Sequence, residues 1–335
     1  MKNNLKQMIK VAPTKGYIDT INKAAYFNGT HIIATDLEVT LMLPFAKTDN
    51  QAGLYKIKPL TCNIMLKADG NISDFPDTLI PDTLIGEYTK TFPLNFLELK
   101  KALKFVQNCQ SSEETRYYLN GVFFNTEIGE LVATDGHRLG KYLSEDIKAI
   151  GTLLKNFNQA NGFILPKKAV DVLINLETSC ETINISLMDN KEIQISCNDF
   201  ILRSKVIDGN FPDYTRVIPK ILGNCETITI NKKLFLDDYK KAKLCTNNKI
   251  IRISKGGFDR DNNGNFTIKS EAMQRSGNEA DNLGRVYGYN AKNIADAFKV
   301  IDGDLCLKYN ILGDATLHQC NNGALYCIMP MRVSD

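Results

Sequence analysis

Leu131-Val132-Ala133-Thr134-Asp135-Gly136-His137-Arg138-Leu139-Gly140 is the stretch from which the fold can be read. Leu131 to Ala133 reads as an apolar strand, and Leu139 to Leu143 reads as a second strand leaving a polar turn. Gly136 suits the turn because it takes positive φ without a Cβ clash. Asp135 suits it because its carboxylate can bond the backbone just ahead. Thr134, His137, Arg138 and Leu139 then cluster on one rim of a sheet, where mixed apolar and hydrogen-bonding groups can receive a peptide. Asp135 could also orient His137 for catalysis, but no GxSxG and no reactive-cysteine context supplies a nucleophile.

Outward from this turn, short helices recur, each followed by strands. Helix starts fall near Asn4, Lys58, Asn95, Pro166, Asn231 and Asn290. Asn95 with Glu98 has the form of a capping box. Pro166 fits a first helical turn, where a missing N–H is harmless, and Asn231 and Asn290 are good N-caps. Leu99, Leu103 and Val106 share one side of the third helix, with Lys100, Lys101 and Lys104 on another. Ala169, Val172, Leu173 and Leu176 follow a helical stripe, as do Ile294, Ala297, Phe298 and Ile301.

Between the helices the period changes to two. Ile183, Ile185 and Leu187 alternate with polar residues, as do Ile193 and Ile195, Ile228 and Ile230, and Phe266 and Ile268. These are half-buried antiparallel strands, separated by turn signals such as Asp189-Asn190 and Gly256-Gly257. The fold class is α+β, with helices on one face of curved antiparallel sheets.

The chain of 335 residues should form two or three domains, since one core rarely grows past roughly 250–300 residues. It has no apolar run of membrane-spanning length and no evident signal peptide. Nine scattered cysteines without a CxxC read as reduced thiols in a cytoplasm. Three histidines, none near a cysteine pair, predict no metal site. Asp259-Arg260-Asp261-Asn262-Asn263-Gly264 starts like a calcium loop, but Ser270 stands where the bidentate acid belongs, so a hairpin is expected. Neither GxxxxGK[ST] nor a GxGxxG opening a helix is present, so no nucleotide cofactor is expected.

A net charge of +3 is too small to argue for nucleic acid by itself; lysine placement is what matters. Lys6, Lys10, Lys100, Lys101, Lys104, Lys167, Lys168, Lys232, Lys233, Lys240, Lys241, Lys243, Lys292 and Lys299 fall on predicted helices. One such helix is an ordinary solvated face. Repeated around an axis, these faces would line a channel whose phosphate contacts carry no sequence information.

Four segments carry a family resemblance. Val132 to Leu139 (Val-Ala-Thr-Asp-Gly-His-Arg-Leu) resembles a signature of the bacterial DNA polymerase III beta subunit, the replicative sliding clamp. Phe211-Pro212-Asp213-Tyr214-Thr215-Arg216-Val217-Ile218-Pro219 resembles its FPDYxRVxP segment. Met329-Pro330-Met331-Arg332 resembles its C-terminal MPMR, and Arg116-Tyr117-Tyr118-Leu119-Asn120-Gly121 matches a fourth. The resemblance is good from about Phe92 to Arg332.

It implies three similar clamp domains, each with helices facing a central channel and antiparallel sheets outside, with limits near 1–90, 91–209 and 210–335. It implies a non-enzymatic processivity factor that encircles double-stranded DNA. Such a factor tethers the replicative DNA polymerase and other proteins bearing a clamp-binding motif, and it is loaded by a separate ATP-driven clamp loader. The alternative is a divergent homologue acting as a peptide-binding adaptor without loading on DNA. The implied peptide pocket comprises Leu119, Thr134, Gly136, His137, Arg138 and Leu139; Pro212, Arg216 and Val217; and Asn290, Cys327, Met329, Pro330, Met331 and Arg332. Flexible methionines can adapt to different apolar anchors, and Arg138, Arg216 and Arg332 are expected to bond a peptide at the rim. The DNA-facing set is Lys6, Lys10, Lys100, Lys101, Lys104, Lys167, Lys168, Lys232, Lys240 and Lys292.

The sequence departs from the family at several points. Asn293 stands where a Tyr is usual, the loop Thr246 to Lys249 lacks an aromatic, Cys327 replaces a β-branched residue, and Ser334-Asp335 extend past the usual end. Thr35-Asp36-Leu37-Glu38 resembles a first-domain TDLE and Asp74-Phe75-Pro76 a DFP-like segment, but the interval between them is short. About two strands, and the strand before Leu5, are expected to be lacking. A homodimer is implied, weaker than usual for the family or closed through a different surface, with Lys243 where the partner face is usually apolar.

Overall fold

The computed structural model describes residues 2–12, 24–44, 53–56, 91–154, 162–188, 192–245, 250–252, 257–260, 266–269, 273–275 and 287–332. The expected helix start at Lys58, the Asp74-Phe75-Pro76 segment, the Thr246–Lys249 loop and Ser334-Asp335 lie outside the described residues, as do the side chains of Lys241 and Lys243. The chain divides into two compact units. One holds residues 1–103, 120–131 and 144–209; the other holds 104–119, 132–143 and 210–335.

In the first unit, eight strands form one sheet. Their order is Gly53–Lys56, Ala24–Phe27, His31–Thr35, Val39–Pro44, Phe200–Lys205, Glu192–Cys197, Thr182–Met188 and Thr91–Asn95. Every described pairing in it is antiparallel. The N-terminal strands join the later ones where Leu41 stands opposite Leu202 and Met42 opposite Ile201. The alternation seen in sequence is realised as burial of Ile183, Ile185, Ile193 and Ile195. Buried Ile32, Ile33 and Leu41 add to the same core. Helices Lys2–Val11 and Lys167–Asn175 pack together, with Met8, Val11, Ala169, Val172 and Leu173 buried. Asn4 clamps the end of the second helix: its amide nitrogen donates to the Glu177 carbonyl at 2.6 Å and its oxygen accepts the Glu177 N–H at 2.7 Å.

Three features of the helix starts differ from the sequence reading. Asn95 caps helix Phe96–Val106 by accepting the Glu98 N–H at 2.9 Å, but the Asn95 N–H goes to Asp146 at 3.1 Å rather than closing a capping box. Pro166 has an extended ψ of 147°, so it precedes its helix as the N-cap instead of lying in the first turn. Helix Glu145–Leu154 was missed altogether, although Glu145 and Asp146 place acids in its first turn, where the helix dipole favours them. Asn231 and Asn290 cap as expected, accepting from Leu234 N at 3.0 Å and Lys292 N at 2.9 Å.

In the second unit, strands Met273–Arg275, Glu226–Ile230, Leu305–Tyr309, Thr316–Gln319, Leu325–Ile328 and Arg138–Leu143 follow one another in a sheet. Leu139 pairs with Cys327 and Arg138 with Ile328. Phe235, Phe298, Ile294, Ile301 and Leu307 are buried, with the Phe235 and Phe298 rings 5.5 Å apart. Strands Gly257–Arg260 and Phe266–Lys269 pair antiparallel, and Asp259 and Arg260 of the calcium-like stretch lie in the first of them.

One turn occurs twice. In Thr35-Asp36-Leu37-Glu38-Val39, Thr35 Oγ1 accepts the Leu37 N–H at 3.0 Å. Asp36 Oδ1 accepts from Glu38 N at 3.0 Å and Val39 N at 2.7 Å. In Thr134-Asp135-Gly136-His137-Arg138, Thr134 Oγ1 accepts from Gly136 N at 3.1 Å. Asp135 Oδ1 accepts from His137 N at 2.9 Å and Arg138 N at 3.0 Å. The third residue is left-handed in both, with φ of 76° at Leu37 and 86° at Gly136. Glycine takes that conformation without penalty, whereas leucine pays about 1–2 kcal/mol. Leu37 is 38% exposed, so truncating it loses little packing. Leu37→Gly should therefore raise stability by about 0.5–1 kcal/mol after the extra entropy of a glycine is subtracted, measured as a higher urea midpoint at unchanged slope.

Candidate functional site: a peptide-sized pocket

The second copy of that turn carries the site. Within the second unit, Leu119, Thr134, Gly136, Arg138, Leu139, Pro212, Val217, Cys327 and Met329 line a common cavity of about 330 Å³. Sequence reading named all nine. The cavity wall also includes Arg116, Tyr118, Asp213, Tyr214 and Ala315, which it did not name. Four of these lie inside the Arg116–Gly121 and Phe211–Pro219 segments, so their neighbours in sequence were the available signal. Ala315 had none: it precedes strand Thr316–Gln319, which hydrogen-bonds to Leu325–Ile328.

The turn holds the wall in place. Thr134 Oγ1 donates to the Arg138 carbonyl at 2.7 Å, and the Met329 N–H donates to the His137 carbonyl at 2.8 Å. A Cβ at Gly136 would lie 2.7 Å from Arg116 Nη1, so a side chain there would displace that guanidinium. Arg116 is tied in turn to Glu113 at 2.7 Å. On the opposite wall, Asp213 caps the short helix Tyr214–Val217, accepting from Thr215 N at 3.2 Å. It also pairs with Arg216 at 2.9 Å. Tyr214 is buried, while Val217 and Met329 are 53% and 41% exposed at the mouth. Burial pushes the Cys327 thiol up to about 12, so it remains neutral and acts as a small apolar wall group.

Six expected residues do not line the cavity. The His137 side chain is exposed at the turn and contributes its backbone carbonyl. Arg216 points to solvent beside Asp213. Asn290 caps helix Ala291–Ala297. Pro330 follows Met329, and Met331 and Arg332 form a short strand against Tyr287–Asn290. Arg138 lines the cavity but not as a free rim group. Its side chain is 5% exposed, with Nε 3.0 Å from Asp135 and Nη1 2.8 Å from Asp296. A guanidinium desolvated to that degree must be neutralised on the spot, which leaves its charge committed to the fold.

Asp296 also meets Lys299 at 2.6 Å and Lys292 at 3.2 Å. Burial alone would raise its carboxyl, but Lys299, Arg138 and Lys292 outweigh it and hold it below the ordinary carboxylate range.

The expected DNA-facing lysines divide into two groups. Lys100 Nζ donates to the Leu176 carbonyl at 2.6 Å. Lys168 donates to the Val11 carbonyl at 2.8 Å and pairs with Asp36 at 2.5 Å. Lys232 donates to the Ile301 carbonyl at 2.7 Å. The acceptors lie at or just past helix ends, where lysine satisfies the last carbonyls and complements the dipole. In this structure these three close helix ends, and Lys292 is shared with Asp296. Lys6, Lys10, Lys101, Lys104 and Lys240 are exposed; Lys101 lies 3.9 Å from Glu98 and Lys240 3.8 Å from Asp237. Lys167 is half-buried.

Comparison with known proteins defines first the class. A Bartonella birtlesii DnaN sliding clamp solved with griselimycin matches at a TM-score of 0.75 and 23% identity, over 99% of this chain and 97% of that one. The Thermotoga maritima DNA polymerase III beta subunit matches equally, at 0.75 and 19% identity, over the same shares. The fold is that of a sliding clamp. Residues 94–213 match the family described as DNA polymerase III beta subunit, central domain. The Rickettsia felis beta sliding clamp is 27% identical over 71% of this chain and 63% of its own length. The Escherichia coli K12 beta sliding clamp is 34% identical over 45% and 39%. The chain thus spans a little under two thirds of the Rickettsia relative it matches. Over these matched stretches the chain is similar to the bacterial DNA polymerase III beta subunit, the beta sliding clamp.

Asp296→Ala removes one partner of a buried pair and should cost about 3–5 kcal/mol. Because the folded Asp296 carboxyl titrates below its unfolded value of about 3.9, its contribution is complete at neutral pH and disappears as pH falls through the folded value. Denaturant melts at pH 7 and pH 3 should show the variant and the parent converging in acid.

Proposed function

We propose that this chain is a DNA sliding clamp, a non-catalytic processivity factor that encircles duplex DNA without reading its sequence. It tethers the replicative polymerase and other replication or repair proteins through the pocket of Leu119, Leu139, Pro212, Val217, Cys327 and Met329. The carrying observation is that pocket: four segments, each marked by a family-like motif, supply one apolar wall on a sliding-clamp fold. Its size suits a few side chains of an extended peptide. Three clamp domains, near 1–90, 91–209 and 210–335, would line the channel with helices. Lys6, Lys10, Lys101, Lys104 and Lys240 would supply diffuse charge to the phosphates, each contact releasing counterion without gripping a base step. A loader would open the ring, two copies would close it, and the work would take place in the cytoplasm, where the chromosome lies.

With its cognate loader, the labelled chain should stay on nicked circular duplex through gel filtration in high salt and run off once the circle is cut. Equal loss from both DNA forms would refute topological loading. For the pocket, griselimycin, which occupies the Bartonella birtlesii clamp, is a usable probe. Val217→Asp with Met329→Ala changes two exposed positions and should weaken its binding at least 10-fold, about 1.4 kcal/mol, without moving the melting temperature. Unchanged affinity in calorimetry would reject the pocket.

A further inference from the structure

We propose that Cys180, Cys197 and Asp199, in the first unit, form a binding site for a thiophilic divalent cation of the zinc class. Their two sulfurs and one carboxylate oxygen all lie within 4.8 Å of one another. A tetrahedral zinc ion with bonds of about 2.3 Å to sulfur and 2.0–2.2 Å to oxygen needs its ligand atoms roughly 3.3–3.8 Å apart. Small side-chain rotations close that gap.

The three ligands come from two pieces of backbone. Cys197 ends strand Glu192–Cys197, and Asp199 sits in the tight turn before Phe200–Lys205, where Cys197 pairs with Phe200. Cys180 lies between helix Lys167–Asn175 and strand Thr182–Met188. No CxxC announces the site, because its thiols are 17 positions apart (197 − 180) and meet only through the antiparallel hairpin.

A supporting shell is already built. Thr178 touches all three ligands: its hydroxyl donates to Asp199 Oδ2 at 2.6 Å, accepts the Cys180 N–H at 2.9 Å and lies 3.4 Å from Cys197 Sγ. The Ser179 N–H and hydroxyl reach the same carboxylate oxygen at 3.0 and 3.2 Å. Such outer partners orient metal ligands. Asp199, Thr178 and Ser179 also line an open groove of about 500 Å³ with Asn4, Glu177 and Asn198. With Asp199 at the edge of that groove, three protein ligands leave a fourth position for water or an exogenous ligand.

The test is a Co²⁺ titration of the full chain, reduced with a phosphine and stripped by a chelator. The expected result is a thiolate-to-cobalt charge-transfer band with visible d–d bands, saturating at one ion per chain and abolished by Zn²⁺. Cys180→Ser and Cys197→Ser should each weaken binding at least about 100-fold, and Thr178→Val about 10–100-fold. Circular dichroism of the metal-free variants checks the fold; should a serine variant unfold, Thr178→Val and Asp199→Asn decide instead. Bands missing in the parent, bands unchanged in these variants, or a Cys180–Cys197 disulfide forming in air without cobalt uptake by the reduced protein would each overturn the assignment.

Discussion

A guanidinium with 5% of its surface in water has to be neutralised where it sits, and Arg138 is neutralised twice. Asp135, three residues back, binds its Nε. Asp296, on helix Ala291–Ala297, binds its Nη1. The first contact closes the turn that follows Thr134; the second ties that turn to a helix more than 150 positions away in sequence. The strand leaving the turn then pairs with Leu325–Ile328, which brings Cys327 and Met329 to the wall opened by Leu119 and Leu139. The pocket is apolar on its surface because its charges are spent underneath it.

The same economy recurs on the helices. Amphipathic stripes bury Leu99, Leu103, Val172, Leu173, Ile294 and Phe298, and lysines occupy other faces. Lysine has a long apolar stem and a terminal ammonium, so it can either reach solvent or bend over a neighbouring helix end. Lys100, Lys168 and Lys232 bend, each onto a carbonyl that its own helix cannot satisfy. Lys6, Lys10 and Lys104 extend to solvent. Fewer of these lysines are left to solvent than a count of helix lysines suggests.

Much of the architecture was legible before any coordinates. Period-two alternation at Ile183, Ile185, Ile193 and Ile195 marked strands because only one face of a sheet is buried there. Asn231 and Asn290 marked helix starts because a short amide side chain can take an orphan N–H. The turn at Thr134–Arg138 was legible because glycine at Gly136 permits a conformation that leucine at Leu37 enters only at a cost. Helix Glu145–Leu154 escaped because its signal, two acids in the first turn, is weak alone.

Local chemistry in the chain was enough to specify the α+β class, most helix and strand positions and the turn at Thr134–Arg138, since each depends on neighbours a few positions away; the family-like motifs, by resemblance, pointed to nine of the residues that line the pocket. The partners of the charges were left to tertiary packing. That Arg138 would be sealed between two carboxylates, that three lysines would close helix ends, that Ala315 would join the wall, and that Cys180, Cys197 and Asp199 would converge all depend on which distant backbone segments lie alongside. Electrostatic and hydrogen-bond pairing is decided by distances of a few ångströms between such segments, and spacing along the chain does not encode those distances.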